Sequence, residues 1–227
     1  MAAEPPDPPG QPDRPAGSDE PTEPAPEVGV GPWPGPWPDD PRLAPALLAE
    51  GDRRNVVDRY RYWSVEAVVA DLDQRRHPFV VAIENLRHDL NIGTIVRTAN
   101  AFLAAEVLIV GNRRWNRRGA MVTDRYQHVR HLPTAHDLAV YAAERDLPIV
   151  AVDNLPGAVA LEGVTLPARC VLVFGQEGTG ISPTVREVAA LTVSIVQYGS
   201  TRSINAGVAA GIAMHTWIRQ HAGPPPD

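Results

Sequence analysis

The chain has 227 residues, 44% of them hydrophobic, and a formal net charge of −6. All 21 basic residues are arginine, which excludes lysine nucleophiles, Schiff-base chemistry and the lysine of a P-loop. The single cysteine, Cys170, excludes an intrachain disulfide and a cysteine-built zinc site, and it fits a reducing cytoplasm.

Composition divides the chain near residue 41. Residues 1–41 hold 14 of the 24 prolines, nine acids and one basic residue, Arg14. Their apolar content is too sparse for a core, so this segment reads as a disordered, acidic, Pro-rich tail. Within it, GPWPGPWP at 31–38 is a small repeat with polyproline II character. No apolar stretch follows a basic start, and none is long enough to span a bilayer, so a cytoplasmic chain without membrane contact is expected. The tail carries −8 of the charge, leaving 42–227 at about +2, so the acidic total is no argument against nucleic-acid binding.

Residues 42–76 read as a helical extension. In SVEAVVADLDQRR, Ser64 is placed to cap a helix whose apolar positions 65, 68, 69 and 72 share one face. Tyr60, Tyr62 and Trp63 precede it and are expected to pack on the main domain. From residue 79 short β-rich runs follow at 79–84, 106–110, 148–152, 169–175 and, more weakly, 191–196. Helical patterns lie between them, beginning with NIGTIVRTANAFLA and ending with the Ala- and Gly-rich SINAGVAAGIAMHTWIRQ. Continuous apolar strands alternating with helices predict an α/β domain over 77–222, with a parallel sheet covered on both faces.

Four segments carry candidate chemistry. In NLRHDLNIGTIVRTANAF, Asn91 stands where a helix begins, and Arg97 falls off the apolar stripe, either solvated or functional. VFGQEGTGIS has the spacing G-x-x-G-x-G, which is neither a dinucleotide fingerprint nor a P-loop. Its Glu177 would repel a phosphate, so the loop suits a cationic or polar ligand, unless its glycines serve only a tight turn. SIVQYGSTRSINAGVAAGIAMH leads through Arg202, Ser203 and Asn205 into a helix of small residues, suited to close packing or to a subunit partner. GNRRWNRRGA places Arg113, Arg114, Arg117 and Arg118 around Trp115 in an expected exposed loop. Such a loop is either a solvated charge run or a grip for phosphates and unpaired bases. His128 and His131 read as ordinary histidines, and no metal site is expected.

Taken together, NIGTIVRTANAF, FGQEGTGIS and SINAGVAAGIAMH resemble, in order and spacing, the three motifs of the SpoU/TrmH family of RNA ribose 2′-O-methyltransferases. The resemblance covers about 79–220. It implies the SPOUT fold, an α/β parallel sheet with a deep C-terminal trefoil knot, a homodimer formed through the knot region, and S-adenosylmethionine as cofactor. Such knots are exceptions to the rule against threading. By resemblance Asn91, Arg97, Glu177, Ser203 and Asn205 are catalytic-site residues. Val173, Gly175, Ile195, Gln197 and Ile204 would hold the cofactor. Three departures stand out: Gln176 replaces a frequent Asn or Ser, Val196 a frequent proline, and Gly207 a second serine. The extension is too short for a separate RNA-binding domain, so RNA would be gripped by the catalytic domain, the 113–118 loop and the extension. That modest footprint favours tRNA over rRNA. The alternatives are an rRNA 2′-O-methyltransferase and a non-catalytic RNA-binding knot.

Overall fold

A computed structural model describes residues 29–85, 91–175 and 178–223 of the chain. Seven strands form one sheet: β1 (His77–Asn85), β2 (Ala104–Gly111), β3 (Val129–Leu132), β4 (Ile149–Val152), β5 (Val159–Ala160), β6 (Cys170–Phe174) and β7 (Leu191–Ser194). Their order is β3-β2-β1-β6-β4-β7-β5, and every pair is parallel.

The five expected strands are present, and two further ones lie towards the edges. β3 escapes sequence reading because its four residues, VRHL, include Arg and His and pair on one side only. β5 has two exposed residues and stands at the opposite edge.

The apolar runs are continuous because both faces are covered. Phe79, Val81 and Ile83 of β1 point into one core with helices α3 (Asn91–Ala101) and α6 (Ala206–His221). Val80 and Ala82 point the other way, into a core with α4 (Ala135–Glu144) and α5 (Pro183–Val188). Alternation along a strand makes this division unavoidable. Local signals set the helix starts. Thr134 and Asp137 form a capping box for α4, and Ser182 caps α5 with Pro183 at its first position. Cys170 is fully buried in the first core, and burial pushes its thiol up to about 12.

The N-terminal region differs from expectation in its tail, because residues 29–41 are partly docked. Val30 bridges Asp52, Trp33 donates its N–H to Leu48 and packs edge-on against Tyr62, and the Tyr62 hydroxyl donates to Gly31. One tryptophan of the repeat is thus docked, while Trp37 remains 54% exposed. Tyr62, expected against the main domain, is occupied here instead. The extension is made of separate helical pieces. It contains α1 (Pro45–Glu50), a 3-10 turn at Asp58–Tyr60 and α2 (Val65–Asp73), which Ser64 caps by accepting from Ala67.

The extension joins the domain through a small cluster of Tyr60, Val68, Leu72 and Tyr126. Polar contacts reinforce it. Arg76 donates to Gln127 Oε1 at 3.0 Å and to the Tyr126 carbonyl at 2.8 Å, and His128 Nε2 lies 2.8 Å from Asp73.

Candidate active site

The strand order reverses around β1 and β6, and in such sheets ligands bind beyond the carboxyl ends of the strands. A cavity of about 410 Å³ lies there. Val152, Asp153 and Asn154 line it from the end of β4, Phe174 and Gly175 from β6, and Ile195 and Gln197 from beyond β7. Ser203, Ile204, Asn205, Ala206 and Ala209 close it from the start of α6.

The glycine loop owes its three glycines to two different constraints. Gly178 and Gly180 have φ of +89° and +67°, the left-handed region where a side chain is strained. Gly175 has no positive φ. There a Cβ would strike the carbonyl carbon of Gly180 and the nitrogen of Ile181, because the loop closes on itself. Two carboxylates fix the far side of this loop. Asp153 Oδ2 accepts from Ile181 N–H at 2.8 Å, and the buried Glu84 accepts from Ser182 N–H at 2.7 Å.

Asn205 is the joint between segments 114 residues apart. Its Oδ1 caps α6 by accepting from Gly207 and Val208, and its Nδ2 donates to Asn91 Oδ1 at 2.9 Å. The seam continues down the two helices. A Cβ on Gly207 would stand 3.2 Å from the Thr94 methyl, and one on Gly211 would stand 3.9 Å from that of Thr98. Gly207 thus lies in a tightly packed seam, where a Cβ would require Thr94 and Asn205 to shift by a few tenths of an ångström. Arg97 lies on α3 beside this seam. It is exposed and, among the described residues, carries no hydrogen bond or ion pair.

The structure thus brings together Gly175, Ile195, Gln197, Ser203, Ile204 and Asn205 around one cavity, with Asn91 tied to it. Val173 does not belong there: its side chain is wholly buried in the second core, and its neighbour Phe174 lines the cavity instead. Glu177 lies outside the described residues. Asp153, Asn154 and Glu84 escape sequence reading. DN after a strand looks like an ordinary turn, and Glu84 looks like the last residue of an apolar run.

The 113–118 loop is built against the same helix. Gly93 and Gly119 face each other with backbones in contact; a Cβ on Gly93 would lie 2.7 Å from the Gly119 Cα. Asn85 holds the loop from inside, donating to the carbonyls of Asn112 at 2.6 Å and Arg114 at 3.0 Å. Arg113, Arg114, Arg117 and Arg118 are exposed. Trp115 is not the free stacking ring that was expected. It is partly buried against the first core, with the Arg117 guanidinium 5.5 Å from its ring centre.

The cavity suits a ligand of nucleoside size. Gln197 Oε1 is buried on its wall without a hydrogen-bond partner among the described residues, an acceptor awaiting a donor. Apolar walls at Val152, Phe174, Ile195 and Ile204 offer faces for a base.

Comparison with known proteins agrees with this geometry. Residues 78–215 match the model of the SpoU rRNA Methylase family. An uncharacterized tRNA/rRNA methyltransferase of Mycobacterium tuberculosis is 31% identical over 175 residues, 74% of this chain and 53% of the relative. The chain spans about half the length of the curated relatives it matches. The TrmH/SpoU tRNA modifying enzyme of A. aeolicus superposes with a TM-score of 0.61 at 23% identity, over 69% of this chain and 81% of that one. The SpoU methyltransferase AviRb of Streptomyces viridochromogenes, solved with AdoMet, gives 0.58 at 23% identity, over 66% and 60%. With more than half its length matched by the family model, the chain belongs to the SpoU rRNA Methylase family.

Proposed function

We propose that this protein uses S-adenosylmethionine to methylate a ribose 2′-hydroxyl of structured RNA, with tRNA the favoured substrate. The observation that carries the reading is the Asn205–Asn91 hydrogen bond. It ties the lip of a nucleoside-sized cavity to the helix bearing Arg97. Gly175, Ile195, Gln197 and Ile204 would hold the cofactor, which supplies an electrophilic methyl group on a cationic sulfur.

The chain's own residues have the remaining work. The ribose must be held so that its 2′-oxygen lies in line with the methyl group, and the hydroxyl proton must leave as the new bond forms. Arg97 is free to bind the adjacent phosphate. A guanidinium holds its proton and is a poor base, so its role is to stabilise developing negative charge on oxygen. Asn91 and Asn205 keep α3 and α6 in register, and Ser203 contributes a hydroxyl at the cavity wall. The four exposed arginines of the 113–118 loop, braced against α3, supply phosphate contacts beside the site.

Two features of the family fold belong to the same proposal. Val208 and Ile212 are exposed on the outer face of α6, where a second copy would cover them. The 195–205 segment leaves β7 and passes the glycine loop to reach α6, the stretch in which the trefoil knot would be tied. The test is direct. The purified protein should bind S-adenosylmethionine, and Arg97→Ala should retain that binding while losing methylation. Near-wild-type turnover by Arg97→Ala on its RNA would refute the assignment. Mapping 2′-O-methyl groups across total tRNA and rRNA, with and without the gene, identifies the substrate.

A further inference from the structure

Asp153 stands at the end of β4 on the cavity wall. Among the described lining residues it alone carries a charge. Its carboxylate is fixed in place: Oδ1 accepts from Asn154 N–H at 2.7 Å and Oδ2 from Ile181 N–H at 2.8 Å. Gly180 leaves room for it, because a Cβ there would strike Oδ2. Among the described residues no arginine or histidine forms an ion pair with it. Peptide dipoles hold the charge without cancelling it.

The size of the cavity turns this into selectivity. The cavity is small, about 410 Å³, and Asp153 stands on its wall, so a charge on a ligand seated there lies within electrostatic reach of that carboxylate. Apolar side chains on the same wall weaken solvent screening. We infer that Asp153 is a specificity-determining residue that makes the cavity prefer ligands bearing positive charge. Resting on the methyl-donor reading, the inference assigns it the discrimination between S-adenosylmethionine and S-adenosylhomocysteine. These differ by one methyl group and one positive charge, so Asp153 favours exchange of spent product for fresh donor.

Calorimetric titration tests this with three ligands: S-adenosylmethionine, the amine analogue sinefungin and S-adenosylhomocysteine. The wild-type protein should bind the two more cationic ligands at least fivefold tighter than the homocysteine compound. Asp153→Asn should weaken those two about tenfold, or about 1.4 kcal/mol, and the third less than about twofold. A purely structural role, through the N–H of Ile181, would weaken all three alike, and that result would overturn the inference. Equal wild-type affinities for all three would overturn it too, whether or not the variant folds. Failure of the wild-type protein to bind any of the three would refute the methyl-donor reading itself.

Discussion

Two stretches of this chain are dense in arginine, and the fold uses them in opposite ways. Between 53 and 76 the extension has Arg53, Arg54, Arg59, Arg61, Arg75 and Arg76. Aspartates of the extension pair with them: Asp52 with Arg54, Asp71 with Arg59 and Arg75, Asp58 with Arg61, and Asp73 with Arg76. Between 113 and 118 there are four arginines and no acid. Among the described residues only Arg117 reaches a carboxylate, Asp124, at 3.4 Å, with its side chain still 73% exposed. Arginine density alone therefore does not mark uncompensated positive charge. Seven arginines against eight acids over 29–76 leave the extension close to internally neutralised. The unpaired charge is concentrated on the loop beside α3.

That contrast can be broken deliberately. The largest effect should come from Asp52→Ala. Asp52 is wholly buried and accepts from the Arg54 side chain, the Arg54 N–H and the Tyr62 N–H. Its removal strands Arg54 and should cost about 3–5 kcal/mol in denaturant titration. The same site sets a pH dependence. Burial alone would push the Asp52 carboxyl up, but those hydrogen bonds outweigh it and hold the group at about 2. Its contribution should be complete above the ordinary aspartate value near ~4 and be lost as pH falls towards 2. Acid melting of the wild-type protein against Asp52→Asn checks this.

Gly93→Ala should follow. A methyl group 2.7 Å from the Gly119 Cα forces backbone apart, for about 1–3 kcal/mol, and should loosen the arginine loop while leaving the extension intact. Hydrogen exchange localised to 113–120 would report it. The paired change Arg113→Ala with Arg118→Ala should weaken RNA binding roughly tenfold and flatten its salt dependence by about two counterions, with thermal stability unmoved. The smallest effect belongs to Arg59→Ala. This half-exposed partner of Asp71 should shift stability by less than about 0.5 kcal/mol and leave RNA affinity unchanged. A clear loss of RNA affinity in Arg59→Ala would place the extension in the RNA interface.

Part of this architecture is legible in the residues alone. Continuous apolar runs such as FVVAIE announce strands buried on both faces, and Ser64 and Ser182 mark helix starts, because capping depends on a few neighbouring atoms. The three motifs pointed to the family, and most of their proposed cofactor residues do meet at one cavity. Other features depend on partners distant in sequence. VRHL becomes a strand only because β2 lies beside it. Trp33 is docked only because Tyr62 is 29 residues further on.

Sequence by itself therefore determined most of the elements, their order and the α/β class, since hydrophobic period, capping and glycine chemistry act over a few residues. Tertiary structure alone decided which arginines are paired, why Gly175 tolerates no side chain, and that Asp153 faces the cavity. Those properties arise where strand ends from different parts of the chain converge. Charge pairing and close backbone approach are set by distance in space, which spacing along a chain does not record.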